Sequence, residues 1–263
     1  TKTMLDGIPK REYPRLFYRY AKEFLEVLAG KTSLKLYLAY NYPSFYKAEF
    51  VEGEVLKWKG GHLPSKFIFE SEEYNYFYHT YNATWKNERC IEVPIVKKIY
   101  EKYRDESKIL ELGNVFSHYF NVKHTIVDKY ERAPNVINED IVNFSTKDKY
   151  DLIFSISTLE HVGWDEKPRE PEKVYMAISN LKRLLSDDGM LVVTVPLGYN
   201  PVIDDIIEKE NKNPKNFTKI RYMKKITQND WKQVEYGEVR GISYDFHSPS
   251  AKAVAICFYT KSL

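Results

Sequence analysis

The 263-residue sequence has little cysteine, and its apolar residues do not form long runs. Its two cysteines, Cys90 and Cys257, stand far apart without the spacing of a zinc site, which argues against a disulfide framework and favours a reducing compartment. No apolar run reaches about 18 residues, and no signal-peptide pattern is present. We therefore expect a cytoplasmic protein that neither spans nor anchors to a membrane.

An excess of charge of either sign is also lacking. Forty Lys and Arg residues oppose 37 Asp and Glu residues, which gives a formal net charge of +3. Binding to a phosphate backbone usually requires a strongly basic surface, so this balance argues against nucleic acid as the partner. The character of the sequence changes near residue 105, which predicts two regions, 1–104 and 105–263.

Residues 1–104 are predicted to form an aromatic-rich α+β extension that acts as a lid. An amphipathic helix is expected in residues 13–30, followed by a strand in SLKLYLA. The segments EVLKW and KFIFE flank the turn KGGHLP, which favours a hairpin between them. A further helix is predicted in IEVPIVKKIYEKY, with Pro94 in its first turn.

Residues 105–263 alternate short apolar strands with helices or loops, which is typical of a mostly parallel sheet. The predicted strands are KILEL, TIV, NVI, YDLIFSI, MLVVTVP and AVAICFY. Between YDLIFSI and MLVVTVP, the apolar residues of PEKVYMAISNLKRLL recur at helical spacing, which predicts a crossover helix. Asp187, Asp188 and Gly189 are expected to form the turn into the next strand.

Polar residues follow the predicted strands at their carboxyl ends, where open parallel sheets bind ligands. Those after the first three strands are Glu111 and Gly113, then Asp128, then Asp140. The segment after the fourth strand, SISTLEHVGWDE, supplies Ser155, Ser157, Glu160 and His161. These side chains are therefore expected to share one edge of the sheet.

This ordered set resembles the class I S-adenosylmethionine-dependent methyltransferases, over residues 108–263. In that family the first strand ends in an acidic-x-Gly-x-Gly-x-Gly motif, which here runs from Glu111 to Ser117 and keeps only Gly113. The phrase GNVFSHY is similar to that of a poorly described group within the family. The resemblance implies a Rossmann-like fold with a mostly parallel seven-stranded sheet, an antiparallel last strand and S-adenosylmethionine as cofactor.

The resemblance also implies which residues bind this cofactor. Glu111 would hold the methionyl amino group, Asp128 would bind the ribose diol, and Asp140 with Ile141 would meet the adenine. Gly113 would let the backbone approach the ligand. The remaining expected contacts are Asn114, Ser117, His118, Ser155 and Ser157. A dinucleotide dehydrogenase is the competing interpretation, but Val115 stands where the backbone should approach a pyrophosphate.

Catalysis is expected at His161, because methylation of an alcohol requires a base and histidine titrates near neutral pH. Glu160 is the expected orienting partner. LEHV also resembles quinone-biosynthesis O-methyltransferases that use the Glu-His pair for a divalent metal. Their further acid is replaced by Ser157, so we expect no metal unless Asp165 or Glu166 substitutes.

The acceptor is expected to meet aromatic and polar side chains around this edge. The candidates are Trp85, Arg89, Trp164, Tyr199 and Asn200, whereas His247 is expected to be structural. The resulting hypothesis is O-methylation of a sugar or another small hydroxyl acceptor, with a loose analogy to glycan modification. RNA or protein methylation, and a non-catalytic module that binds a partner through its aromatic extension, remain alternatives.

Overall fold

The computed structural model describes residues 63–79, 81–105, 107–227, 230–246 and 250–261, together with Leu25, which is helical. The rest of the helix predicted in residues 13–30 lies outside the described residues, as do the predicted strands SLKLYLA and EVLKW. His247 lies outside them as well.

A short antiparallel hairpin begins the described chain. Strand β1 (Lys66–Phe69) pairs with strand β2 (Glu72–Asn75), and the turn between them uses Glu70 and Ser71 at positive φ. Phe67 and Phe69 alternate with exposed residues and are buried. KFIFE thus forms a hairpin with the segment that follows it, a pairing that the sequence analysis missed.

The central sheet contains eight strands in the order β5-β4-β3-β6-β7-β10-β8-β9. The strands are β3 (Ile109–Leu112), β4 (Thr125–Val127), β5 (Val136–Ile137), β6 (Tyr150–Ile156), β7 (Leu185–Pro196), β8 (Lys219–Lys225), β9 (Trp231–Val234) and β10 (Ala253–Thr260). Strands β3 to β7 run parallel, and β10 lies antiparallel between β7 and β8. The expected Rossmann-like sheet with an antiparallel last strand is confirmed, and β9 adds an eighth strand at one edge.

Three α-helices flank this sheet in the described residues: α1 (Arg89–Tyr100), α2 (Lys173–Leu184) and α3 (Pro201–Lys212). Helix α2 connects β6 to β7 and buries its predicted apolar stripe, so the crossover helix is confirmed. The turn expected at 187–189 is wrong, because β7 already begins at Leu185. The extra residues are accommodated as a bulge beside Tyr150.

Helix α1 begins earlier than predicted, which places Pro94 in its second turn. Proline lacks an N–H, so it cannot donate to the carbonyl oxygen of Cys90 four residues before it. That oxygen instead accepts a hydrogen bond of 2.9 Å from the Phe77 amide. The proline is tolerated because the chain after the hairpin satisfies the carbonyl that it leaves open.

The sheet is covered on both faces because successive side chains of its buried strands point to opposite sides. Along β6, Ile153 packs in the apolar cluster that includes α2 and α3, whereas Leu152 and Phe154 pack in the cluster that includes α1 and the hairpin. In the unbroken described segment 107–227, the connections from β3 to β6 contain no α-helix. No helix among the described residues is long and apolar enough to cross a membrane.

Candidate active site

The turn after β3 touches the loop after β6, which brings two strand ends together. Gly113 has a φ of +87°, and a Cβ placed there would lie 2.2 Å from Thr158 Oγ1. Its amide donates to the Val127 carbonyl oxygen at 2.9 Å, next to the end of β4. Glycine is required here both by the backbone conformation and by the close packing against Thr158.

Glu111 organises this turn from inside the protein. Its fully buried carboxylate accepts hydrogen bonds from the amides of Val115 and Phe116, at 2.8 and 2.9 Å, and lies 2.7 Å from His124 Nε2. The geometry gives Glu111 a structural task, and its contact with the methionyl amino group stays a prediction. Glu111 fixes the turn after β3. This turn lacks the second and third glycines of the family motif and continues as a 3-10 helix over Phe116–His118.

Asn114, Ser117 and His118 are brought together by an acid that sequence analysis missed. Asn114 Nδ2 donates to Glu131 Oε1 at 2.7 Å, and Ser117 donates to the Asn114 side-chain oxygen. His118 Nε2 lies 2.9 Å from the same Glu131 oxygen, and its ring stacks on Tyr81 with 4.2 Å between centroids. No sequence pattern indicates Glu131 as a site residue, because the conformation of the loop after β4 determines where it lies.

That loop is shaped by Asp128. One carboxylate oxygen, Oδ1, accepts hydrogen bonds from the amides of Tyr130 and Glu131 at 2.8 and 2.7 Å. The Asp128 amide donates to the Ile137 carbonyl oxygen at 3.1 Å, which ties the ends of β4 and β5 together. Within the described ranges Oδ2 has no partner, so this oxygen can bind a ligand hydroxyl.

Asp140 belongs to a cluster of two acids and two lysines. Its Oδ2 lies 2.9 Å from Lys129 Nζ and 2.8 Å from Lys173 Nζ, and Glu166 contacts the same two lysines at 3.0 and 2.6 Å. Burial alone would raise the pKa of Asp140, but hydrogen bonds from Lys173 and Lys129 lower it. Ile141 is buried, with its carbonyl bonded to Asn180. Contact of either residue with adenine stays a prediction.

His161 and Asp165 form an oriented pair in the loop after β6. Nδ1 of His161 lies 2.6 Å from Asp165 Oδ2, and the Tyr199 hydroxyl donates to the same oxygen at 2.7 Å. Nδ1 therefore donates to the carboxylate, which leaves Nε2 as the nitrogen that can accept a proton. The His161 side chain is 45% exposed, so a substrate can reach the ring.

Glu160 is not the orienting partner that the sequence predicted. Its Oε1 lies 3.7 Å from His161 Nε2, which is too long for a hydrogen bond, because Asp165 takes that role from the opposite side of the ring. Glu160 is 1% exposed, and its Oε2 has no partner among the described residues. Burial raises the pKa of this carboxyl well above its usual range, and Glu92 raises it further while Arg89 opposes the shift.

Arg89 lies inside the protein rather than at the mouth of the site. It donates to Glu92 Oε2 at 2.8 Å and to the Ser157 carbonyl oxygen at 3.4 Å, and the Ser157 hydroxyl donates to Glu92 Oε1 at 2.6 Å. These bonds attach α1 to the end of β6. Ser155 is fully buried there, with no partner for its hydroxyl in the described part of the chain.

The remaining acceptor candidates have different surroundings. Trp85 is buried, and the ring of Trp164 is covered by the guanidinium of Arg169 at 4.2 Å. Asn200 caps α3 by accepting from the Val202 amide and donates to the Glu160 carbonyl oxygen at 2.8 Å. These contacts assign Asn200 a positioning role, a role that its place before Pro201 could have indicated.

Tyr199 is the predicted acceptor contact that stands beside the catalytic candidate. Its ring meets His161 edge-on at 5.0 Å and packs against Tyr244 and Phe246 at 5.1 and 5.6 Å. Phe246 is 52% exposed. An aromatic surface therefore adjoins His161. Among the described residues, no group of three or more His, Cys, Asp or Glu side chains could hold a metal ion.

No model of a known protein family matches the chain, and no curated protein matches it. Two of the solved structures that are similar in part are methyltransferases. N-methyltransferase NodS from Bradyrhizobium japonicum WM9, in complex with S-adenosyl-l-homocysteine, has 12% identity and a TM-score of 0.42, over 66% of this chain and 86% of that chain. A TehB-like SAM-dependent methyltransferase from Corynebacterium glutamicum has 16% identity and a TM-score of 0.39, over 63% and 86%. The strand order defines the fold independently of these likenesses.

Proposed function

We propose that the protein is an S-adenosylmethionine-dependent methyltransferase that methylates a hydroxyl group of a sugar or another small acceptor. The observation that carries this proposal is the His161–Asp165 pair, set after β6 beside the Gly113 turn in a mostly parallel sheet with an antiparallel last strand. In this arrangement a base stands at the edge of the sheet where parallel strands of open α/β folds present their ligands.

The residues at this edge fit the cofactor. Ser155 Oγ and Glu160 Oε2 are buried polar atoms without partners in the described chain, and buried polar groups normally have one. Gly113 brings backbone against the loop after β6, and Asp128 Oδ2 can accept from a ribose hydroxyl. We infer that Asp128 holds the ribose end and that the Asn114–Ser117–His118 turn faces the methionine end.

The chemistry follows from His161. When bound, S-adenosylmethionine supplies a methyl group on a positively charged sulfur. His161 Nε2 would accept the proton of the acceptor hydroxyl as that oxygen takes the methyl group, which would leave a neutral sulfur on the donor. Asp165 keeps Nδ1 protonated and stabilises the imidazolium that forms. The proton then passes to solvent from the exposed ring.

The acceptor class is inferred from the aromatic surface of Tyr199, Tyr244 and Phe246 beside His161. The apolar face of a sugar ring stacks on exposed aromatic rings, while its hydroxyls stay free to reach a base. This surface adjoins the His161 ring, so a sugar that stacks on it lies beside the proposed base. A sugar is therefore the acceptor class that these side chains suit best.

The proposal is tested by two measurements on the wild-type protein. Calorimetric titration should detect binding of S-adenosylmethionine and of S-adenosylhomocysteine. The protein is then incubated with methyl-labelled S-adenosylmethionine and separate pools of nucleotide sugars, oligosaccharides, RNA and protein. Label in the sugar pools supports the proposal. Binding of neither ligand would overturn the methyltransferase assignment, and label confined to RNA or protein would overturn the acceptor class.

A further inference from the structure

Three buried carboxyls surround one arginine behind the candidate site. We call Glu88, Arg89, Glu92 and Glu160 the Arg89 cluster. Arg89 is bonded to Glu92 at 2.8 Å, and Glu88 accepts from the Ala251 amide at 2.8 Å. Glu160 has one oxygen without a partner in the described ranges. Three carboxylates facing one guanidinium would leave a net negative charge inside the protein, which is costly in a low-dielectric interior.

The cluster adjoins the edge of the sheet beside His161 and the ends of β3 and β6, which we call the cleft, although the cluster itself is closed to solvent. Glu160 and His161 share one 3-10 turn, and Glu160 Oε1 lies 3.7 Å from His161 Nε2. Ser157, at the end of β6, donates to Glu92 and so connects the cluster to the sheet edge. A charge placed in the cleft is therefore separated from the cluster by little more than the His161 ring.

The groups that face Glu160 come from several elements. Helix α1 contributes Arg89 and Glu92, the residue that caps its start is Glu88, and the turn itself contributes His161. Tyr244, from the segment between β9 and β10, also interacts with Glu160, and burial raises its pKa so that it stays neutral. Arg89, the cation that faces Glu160, is already bonded to Glu92. With three carboxyls around one guanidinium, the cluster is short of positive charge.

We propose that Glu160 lets the site distinguish the charged methyl donor from its neutral product, by releasing a proton when the sulfonium enters the cleft. This inference rests on the proposed function. In the free protein burial and the neighbouring acids disfavour the charged form of this carboxyl, which raises its pKa well above the usual range. A sulfonium supplies the missing positive charge, so the carboxylate becomes the favoured form while the donor is bound.

The consequence is a difference between donor and product. After methyl transfer the sulfur is neutral, so the carboxylate loses its counter-charge and takes up a proton again. Donor binding releases a proton and product binding does not. The affinity for the donor therefore rises with pH, whereas the affinity for the product does not rise with it. The ratio of the two affinities should therefore increase with pH up to the raised pKa that Glu160 has in the free protein, and level off above it.

The test is calorimetric titration at pH 7 in phosphate and in Tris, whose different ionisation enthalpies report the protons exchanged on binding. The ligands are S-adenosylmethionine, S-adenosylhomocysteine and sinefungin, in which an amine-bearing carbon replaces the methylated sulfur. The proteins are wild type, Glu160→Gln and Glu238→Gln, an exposed acid outside the cluster. Each ligand's own amino group titrates in all three proteins, so differences between proteins isolate Glu160.

Compared with Glu160→Gln, wild type and Glu238→Gln should release up to about one additional proton with S-adenosylmethionine and with sinefungin, but no additional proton with S-adenosylhomocysteine. Glu160→Gln should also lose about five-fold or more of the preference for donor over product. Equal proton release for donor and product in wild type would overturn the inference, and so would release in Glu160→Gln equal to that in wild type. If Glu160→Gln does not fold, the wild-type comparison decides alone. Failure of all three ligands to bind would overturn the proposed function itself.

Discussion

Asp165 Oδ2 lies 2.6 Å from His161 Nδ1 and accepts a second hydrogen bond from Tyr199. The carboxylate thus fixes which nitrogen of the imidazole carries the proton and which one faces the acceptor. His161→Ala should lower methyl transfer by about 10²–10⁴-fold while leaving donor binding near its wild-type value. Single-turnover label transfer and calorimetry measure the two quantities. A folded variant with near-normal transfer would exclude His161 as the base.

Asp165→Asn should separate two effects of Asp165 on His161: holding the ring in place and stabilising its positive charge. The amide can still contact the ring, but without its negative charge it stabilises the imidazolium that forms during the reaction less, so the rate should drop at neutral pH. The pH–rate profile of the variant is measured beside that of wild type. Tyr199→Phe removes one donor to the same oxygen and serves as the matched comparison. An unchanged profile in Asp165→Asn would show that the pair does not act together.

Asp128→Ala should weaken binding of S-adenosylhomocysteine by about 1–3 kcal/mol, the usual cost of leaving polar partners unpaired. The same variant also loses the bonds to the Tyr130 and Glu131 amides, so its thermal midpoint must be measured alongside. Asp187→Ala, an exposed acid near the start of β7, is the control. Wild-type affinity in folded Asp128→Ala would remove this residue from the site.

Arg89→Met should destabilise the protein by about 3–5 kcal/mol at neutral pH, because it leaves the carboxylate of Glu92 buried without its cation. At pH 5 the loss should be smaller, since the stranded carboxyl can neutralise itself by binding a proton. Urea denaturation at both pH values measures the difference. An equal loss at pH 7 and pH 5 would indicate that Arg89 acts through packing alone.

Lys173→Met should lower the free energy of unfolding mainly at neutral pH, and less at acidic pH. Despite burial, Lys173 and Lys129 lower the pKa values of Asp140 and Glu166 in the folded protein from 3.8 and 4.5. Stability gained this way is complete above those unfolded values and is lost as the pH falls through the lower folded ones. As the pH drops below about 4.5, the free energy of unfolding of the variant should therefore fall less steeply than that of wild type. A decline parallel to wild type would contradict this account.

Sequence analysis predicts secondary structure best where residues within one segment determine its conformation. The stripe of Val174, Ile178 and Leu181 required a helix with one buried face, and that helix is present. The alternation of apolar segments likewise predicted the parallel sheet. Helix α3 was missed, although Asn200 before Pro201 is a recognisable start signal. Local rules therefore recover most of the elements.

Prediction was weaker where the outcome depends on loops that meet in space. Glu160 precedes His161 in sequence, but the 3-10 turn directs it into the interior, and Asp165 reaches the ring instead. Glu111 likewise bonds His124, a partner that its place in the sequence does not indicate. Spacing alone does not reveal which of several nearby acids faces the cleft, because that depends on the tertiary packing of α1 against β6.

The bond from Phe77 to the carbonyl that Pro94 leaves open has a consequence for how the chain unfolds. It ties the segment after the hairpin to α1, and α1 in turn packs with Leu152 and Phe154 on one face of the sheet. A fragment that began at residue 105 would expose that face to water and would invite aggregation. The described part of the extension and the sheet should therefore melt in a single cooperative transition.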